Sequence, residues 1–97
     1  MRLMMKFTIP VERGNEAAKD GTIGKAIQAL VEATNAEAAY FTLADGKRAG
    51  YIFFEETDQA RMATLNEPLF AALDASIETV PVLTLEDLMR GLSGGKA

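Results

Sequence analysis

Lys6 is the residue of this 97-residue chain that first suggests chemistry. It lies inside the alternation of Leu3, Met5, Phe7 and Ile9 and shares the other side of that run with Met4 and Thr8. An amine in the middle of a strand loses solvation once its face is covered. It then either pairs with a carboxylate, Glu55 or Glu78, or holds the carboxylate of a ligand. Tyr40 and Tyr51 supply hydroxyls and aromatic walls, Thr8 and Thr42 add small hydroxyls, and Glu55 adds an acid. The expected pocket is therefore Lys6, Thr8, Tyr40, Thr42, Tyr51 and Glu55. Glu12 and Arg13, just after the first strand, either gate that pocket or form a solvated loop.

Other chemistry is excluded by residue type. Histidine, cysteine and tryptophan are absent, which removes disulfides, thiolates, imidazole bases and Cys/His metal sites, so no metal and no cofactor are expected. Ten Lys and Arg against 14 Asp and Glu give a net charge of -4 with no basic cluster, which argues against nucleic acid as a partner. Gly21-Thr22-Ile23-Gly24-Lys25 has neither the first glycine nor the final Ser or Thr of a phosphate loop. Glu55 and Glu56 are neighbours in a strand, point to opposite faces, and cannot act as a paired acid and base. No apolar run approaches the ~20 residues of a membrane span, and no secretory signal is visible, so a cytoplasmic protein with no membrane partner is expected.

The elements that must position these residues follow from period and punctuation. The first strand ends at Pro10, and Asn15 caps a helix whose stripe is Ile23, Ala26, Ile27, Leu30 and Val31, weakened by about 1 kcal/mol at each of Gly21 and Gly24. Residues 37–43 and 48–55 flank Ala44-Asp45-Gly46-Lys47, a two-residue hairpin signal. Thr57 or Asp58 opens a helix with Met62, Leu65, Leu69, Phe70 and Leu73 inward, bent or restarted by Pro68. Residues 76–83 make a last strand, whose Pro81 suits a sheet edge. Thr84-Leu85-Glu86-Asp87 reads as a capping box before a short helix carrying Leu85, Leu88, Met89 and Leu92. The sum is α+β: a ferredoxin-like βαββαβ sandwich with a short C-terminal helix, one domain over residues 1–92 and a disordered tail over 93–97.

The hairpin register sorts the two faces of the sheet. Ala44 opposes Lys47, and counting back sets Thr42 against Ala49, Tyr40 against Tyr51 and Ala38 against Phe53. Ala39, Phe41, Leu43, Ile52 and Phe54 then join Leu3, Met5, Phe7 and Ile9 under the helices. Met4, Lys6, Thr8, Tyr40, Thr42, Tyr51, Phe53 and Glu55 are left on the open face, an apolar patch with a polar centre. Either a second copy covers it, giving a homodimer, or the terminal helix folds across it within one chain.

Five stretches also carry a family resemblance: Lys6-Phe7-Thr8-Ile9-Pro10, Arg13-Gly14-Asn15-Glu16-Ala17-Ala18, Asp20-Gly21-Thr22-Ile23, Glu37-Ala38-Ala39-Tyr40-Phe41-Thr42 and Val80-Pro81-Val82-Leu83-Thr84-Leu85-Glu86-Asp87-Leu88. Over nearly the whole chain they resemble an uncharacterised bacterial family of the dimeric α+β barrel superfamily. The resemblance implies a ferredoxin-like protomer whose sheet packs on a second sheet to form a barrel. It implies no function. Distant members of that superfamily include muconolactone isomerases and cofactor-free monooxygenases, but this chain lacks the His and Trp that several of those monooxygenases use.

Two classes of function are compatible with these residues. One is a small-molecule binding protein or cofactor-free enzyme for a small aromatic or carboxylated metabolite, with its pocket at the barrel or dimer interface. The alternative is a noncatalytic dimerisation or regulatory module whose open face is filled by its twin. Fold alone does not decide between them.

Overall fold

The structure is a computed structural model that describes residues 1–94. Its elements run β1 (Arg2–Ile9), α1 (Val11–Asp20), α2 (Thr22–Thr34), β2 (Ala38–Ala44), β3 (Lys47–Glu55), α3 (Arg61–Leu73), β4 (Ser76–Pro81) and α4 (Leu85–Leu92). The class is α+β, with one open antiparallel sheet in the order β2, β3, β1, β4. Both crossovers straddle a strand: β1 reaches β2 through α1 and α2 by passing over β3, and β3 reaches β4 through α3 by passing over β1. Helices α1, α2 and α3 consequently share one face. There Leu3, Met5, Phe7, Ile9, Ile52 and Phe54 form a buried cluster with Ala17, Leu30, Leu65, Leu69 and Leu73.

The hairpin has the register that its turn residues dictate. Ala44 pairs with Lys47 and Tyr40 with Tyr51, while Asp45 and Gly46 take φ of 53° and 75°, the left-handed pair that a two-residue turn of this hand requires. One edge of the helix face departs from expectation. Phe41 and Leu43 point to that face by register, yet they are 54% and 70% exposed, because β2 is an edge strand and α2 covers it only as far as Ala39.

Helix boundaries needed more than local signals. Val11 continues directly from Pro10 into α1, so Asn15 lies inside a helix instead of capping one, and no loop carries Glu12 and Arg13. Asn15 is instead engaged by a distant strand: Arg48 lies across Gly14 and its Nη1 donates to Asn15 Oδ1 at 3.2 Å. Gly21, at φ 83°, then breaks the expected single helix into α1 and α2. The second crossover helix starts at Arg61, later than Thr57 or Asp58, because the Glu56 carboxylate accepts from the backbone N–H of both those residues and holds them in a turn. It runs on through Pro68 without restarting.

At the C-terminal end, β4 lies on the edge and stops at Pro81 instead of Leu83, although Val82 N–H still donates to Arg2 O at 3.0 Å. The capping box of α4 is complete: Thr84 Oγ1 accepts from Asp87 N at 3.0 Å and Asp87 Oδ2 from Thr84 N at 3.4 Å. Ser93 and Gly94 form a turn in which Ser93 Oγ donates to Arg90 O, and the rest of the expected disordered tail, residues 95–97, lies outside the described residues. Helix α4 does not fold across the open face. None of its residues is buried, and the chain has a radius of gyration of 15.3 Å and a long axis of 52 Å. A compact domain of this length has a radius of about 12.5 Å.

Candidate functional site

The open face is built from rows of residues that face one another across four strands. Tyr40, Tyr51, Lys6 and Glu78 make the central row. Toward the Arg2 end it is flanked by Ala38, Phe53, Met4 and Val80, and on the other side by Thr42, Ala49, Thr8 and Ser76. Each row is fixed by backbone ladders, so its side chains point the same way by pleat alone. A band of polar groups thus crosses the sheet beside a band of apolar ones.

Lys6 is half-buried in that band, and its Nζ stands 6.0 Å from the centroid of the Tyr51 ring, at the outer limit of a cation–π contact. The ion pair expected with Glu55 or Glu78 is not made: among the described residues no carboxylate oxygen lies within 4.0 Å of Lys6 Nζ. Glu78 is nonetheless directly opposite on β4, and the hairpin turn brings Asp45 to the same corner. Lys6, Thr8, Asp45, Ser76, Ile77 and Glu78 line a polar concavity of about 250 Å³.

The expected pocket residues divide into two groups. Lys6 and Thr8 line the concavity, and Tyr51 adjoins it through Lys6. Tyr40 and Thr42 share the rows but sit on the far edge strand, where Tyr40 is 65% exposed and its ring meets that of Phe53 edge-on at 6.5 Å. Glu55 is apart from all of them. It pairs with Arg2 across the ladder, its Oε2 accepts from the Met1 amine at 3.1 Å, and its Oε1 lies 3.8 Å from Arg2 Nη1. Lys6 is four residues from Arg2, roughly 13 Å along the strand.

That end of the face is a separate cluster. Arg2 Nε and Nη2 clasp Glu37 at 2.9 to 3.2 Å, which raises the Arg2 guanidinium above its ordinary pKa and holds the Glu37 carboxyl below the usual value, in both cases chiefly through the side-chain hydrogen bond. Arg13 is no gate either, since its Nε donates to Ala72 O at 2.8 Å and ties α1 to α3.

Asp45 and Ser76 were not singled out by sequence, and Glu78 was considered only as an ion-pair partner for Lys6. The register of β4 on β1 is set by a crossover with no tight turn, so nothing local reports which face Glu78 occupies. For Asp45 a signal existed in the Asp-Gly turn itself, because a twisted two-residue hairpin curls its tip over one face of the sheet.

The described residues hold no cluster of three or more acidic, His or Cys side chains suited to a metal, and no helix of theirs is long and apolar enough to cross a membrane. No family model and no curated protein matches the chain. The reading of function rests on the geometry above.

Proposed function

We propose that the chain is a ferredoxin-like protomer of a homodimeric α+β barrel that binds a small aromatic or carboxylated metabolite at the Lys6 corner of its open face. Two split crossovers around a β2, β3, β1, β4 sheet support the fold. An open face that no helix covers, with Tyr40 and Val80 exposed and Phe53 and Met4 half-buried between them, supports the second copy, since a patch of that kind marks an interaction surface.

One observation carries the ligand: a half-buried lysine in the middle of a sheet has, among the described residues, no carboxylate within ion-pairing distance, although Glu78 and Asp45 share its concavity. A ligand carboxylate fits Lys6 Nζ, hydroxyl or amine donors on the same ligand fit Glu78 and Asp45, and Tyr51 offers a ring wall. The role is binding; nothing at the corner names a reaction. The concavity is open on one side, and the partner sheet would close it.

A thermal-shift screen of small aromatic and aliphatic carboxylates on the wild type and on Lys6→Met tests this. Ligand at ten times its Kd contributes about 1.4 kcal/mol, a shift of several degrees for a domain of this length. The shift is expected in the wild type and absent in the variant. Equal shifts in both proteins, or none in either, would overturn the ligand and favour the noncatalytic dimerisation module.

A further inference from the structure

Among the described helices, α4 alone buries nothing. Its apolar residues Leu85, Leu88, Met89 and Leu92 fall on one stripe, and all four are exposed, Leu85 to 75% and Leu92 to 73%. Eight residues are well short of the ~12–15 at which an isolated helix becomes even marginal in water. A capping box adds on the order of 1 kcal/mol, which does not make up that shortfall. Helix α4 therefore needs a surface, and its own chain supplies none. The same chain leaves a second surface that no helix covers: the row of half-buried Ala38, Phe53 and Met4 and exposed Val80, next to the Arg2 end of the sheet from which α4 departs.

We propose that α4 is an arm exchanged between two copies of this chain, each laying its Leu85, Leu88, Met89 and Leu92 stripe on the partner's row of Ala38, Phe53, Met4 and Val80. The proposal rests on the homodimer of the preceding reading and names the segment that seals it. The required area supports it. A four-stranded sheet of this length presents a face of roughly 500 Å², so two faces bury about 1,000 Å², below the ~1,200 Å² at which stable interfaces begin. Four further apolar side chains from each α4 add roughly 300 Å² per copy and bring the total to about 1,600 Å², the size of a standard stable interface. Reciprocal exchange is also self-closing, because stripe meets row twice about one two-fold axis and no copy is left with either surface bare.

The test uses the full chain and sedimentation equilibrium. Leu88→Glu together with Met89→Glu is expected to raise the dimer Kd by at least 100-fold, with an Arg90→Ala control near the wild type. An unchanged Kd in the double variant would overturn the arm and leave the homodimer standing, whereas a wild type that stays monomeric at 100 µM would overturn both. Because the chain has no native cysteine, Val80→Cys with Leu88→Cys gives an independent reading even if the charged variant misfolds. Oxidation is expected to yield a covalently linked dimer on a nonreducing gel. A cross-link within one chain, or none, would overturn the exchange.

Discussion

The two faces of this sheet are made by the same strands, residue by residue in alternation, yet they obey different rules. On the helix side Leu3, Met5, Phe7, Ile9, Ile52 and Phe54 are buried, and the polar residues of the ladder, Arg48 and Thr79, stand at the end of β3 and on the edge strand β4. On the open side a polar row of Tyr40, Tyr51, Lys6 and Glu78 lies beside an apolar row. The first face is closed by its own chain, so burial dominates its composition. The second mixes polar and apolar groups, as a face that no helix covers can, and among the described residues its Lys6 has no ion-pair partner. The helices repeat the contrast. The N-cap residues of α1, α2 and α3, namely Pro10, Gly21 and Ala60, make no side-chain cap hydrogen bond, and packing holds these helices; α4 is unpacked and has a complete capping box.

The comparison breaks most decisively if a core substitution is tolerated. Phe7 is 1% exposed at the centre of β1, and Phe7→Ala is expected to destabilise the protein by about 3–5 kcal/mol through lost burial and a cavity, read by urea denaturation. A loss below about 1 kcal/mol would mean that the helix face is not a packed core. A smaller effect is expected at Gly50, the partner of both Phe7 and Phe41, where a Cβ would stand 2.5 Å from the Phe7 ring and 3.0 Å from Phe41 Cδ1. Gly50→Ala should cost about 1–3 kcal/mol by overpacking, whereas Thr42→Ala, exposed on the open face, should stay within about 0.5 kcal/mol. Comparable losses at both positions would erase the distinction between the faces.

Lys6→Met sharpens the comparison from the other side. With no ion pair to lose and only a distant Tyr51 ring beneath it, the ligand-free variant is expected to match the wild type within about 1 kcal/mol. A loss of 3 kcal/mol or more, on the scale of a broken buried pair, would show that the amine holds the fold together.

What could be read from the sequence tracks how local the determinant is. The hairpin register was legible pair by pair, because Asp45-Gly46 sets the turn and period two sets the faces. The α4 cap was legible for the same reason, since Thr84 and Asp87 are three positions apart. The start of α1 was not, because Asn15, a capping residue by type, lies inside the helix and accepts from Arg48 of a distant strand. Nor was the candidate site complete: Lys6 and Thr8 could be placed on the open face from alternation, but Glu78 comes opposite Lys6 through a β4 register fixed only by tertiary pairing, and Glu55 is drawn off by Arg2 and the Met1 amine.

The smallest expected effect concerns the helix that packing does not hold. Asp87 has its pKa lowered from the ordinary 3.8, first by its hydrogen bonds at Thr84 and then by Arg90, whose Nη2 lies 2.7 Å from Asp87 Oδ1. A carboxyl with a lowered folded pKa stabilises the fold fully above its unfolded value and loses that contribution as pH falls through the folded one. Helix α4 should therefore be intact above about pH 5 and weaken below the ordinary value, while the packed body persists further into acid. Amide hydrogen exchange at Leu88 and Met89, followed as the pH is lowered and corrected for intrinsic rates, should show opening there before any at Ile52 or Phe54. Glu37 also has a lowered pKa and titrates in the same direction, so the response must be assigned by substitution. Asp87→Asn keeps an oxygen for the Thr84 N–H but removes the ionisation; it should weaken α4 slightly at neutral pH and flatten its acid response. If acid opens α4 equally in Asp87→Asn and the wild type, the cap is not what holds this helix. If α4 resists acid as well as the core does, a surface already covers its stripe, which is the state that exchange with a second copy would produce.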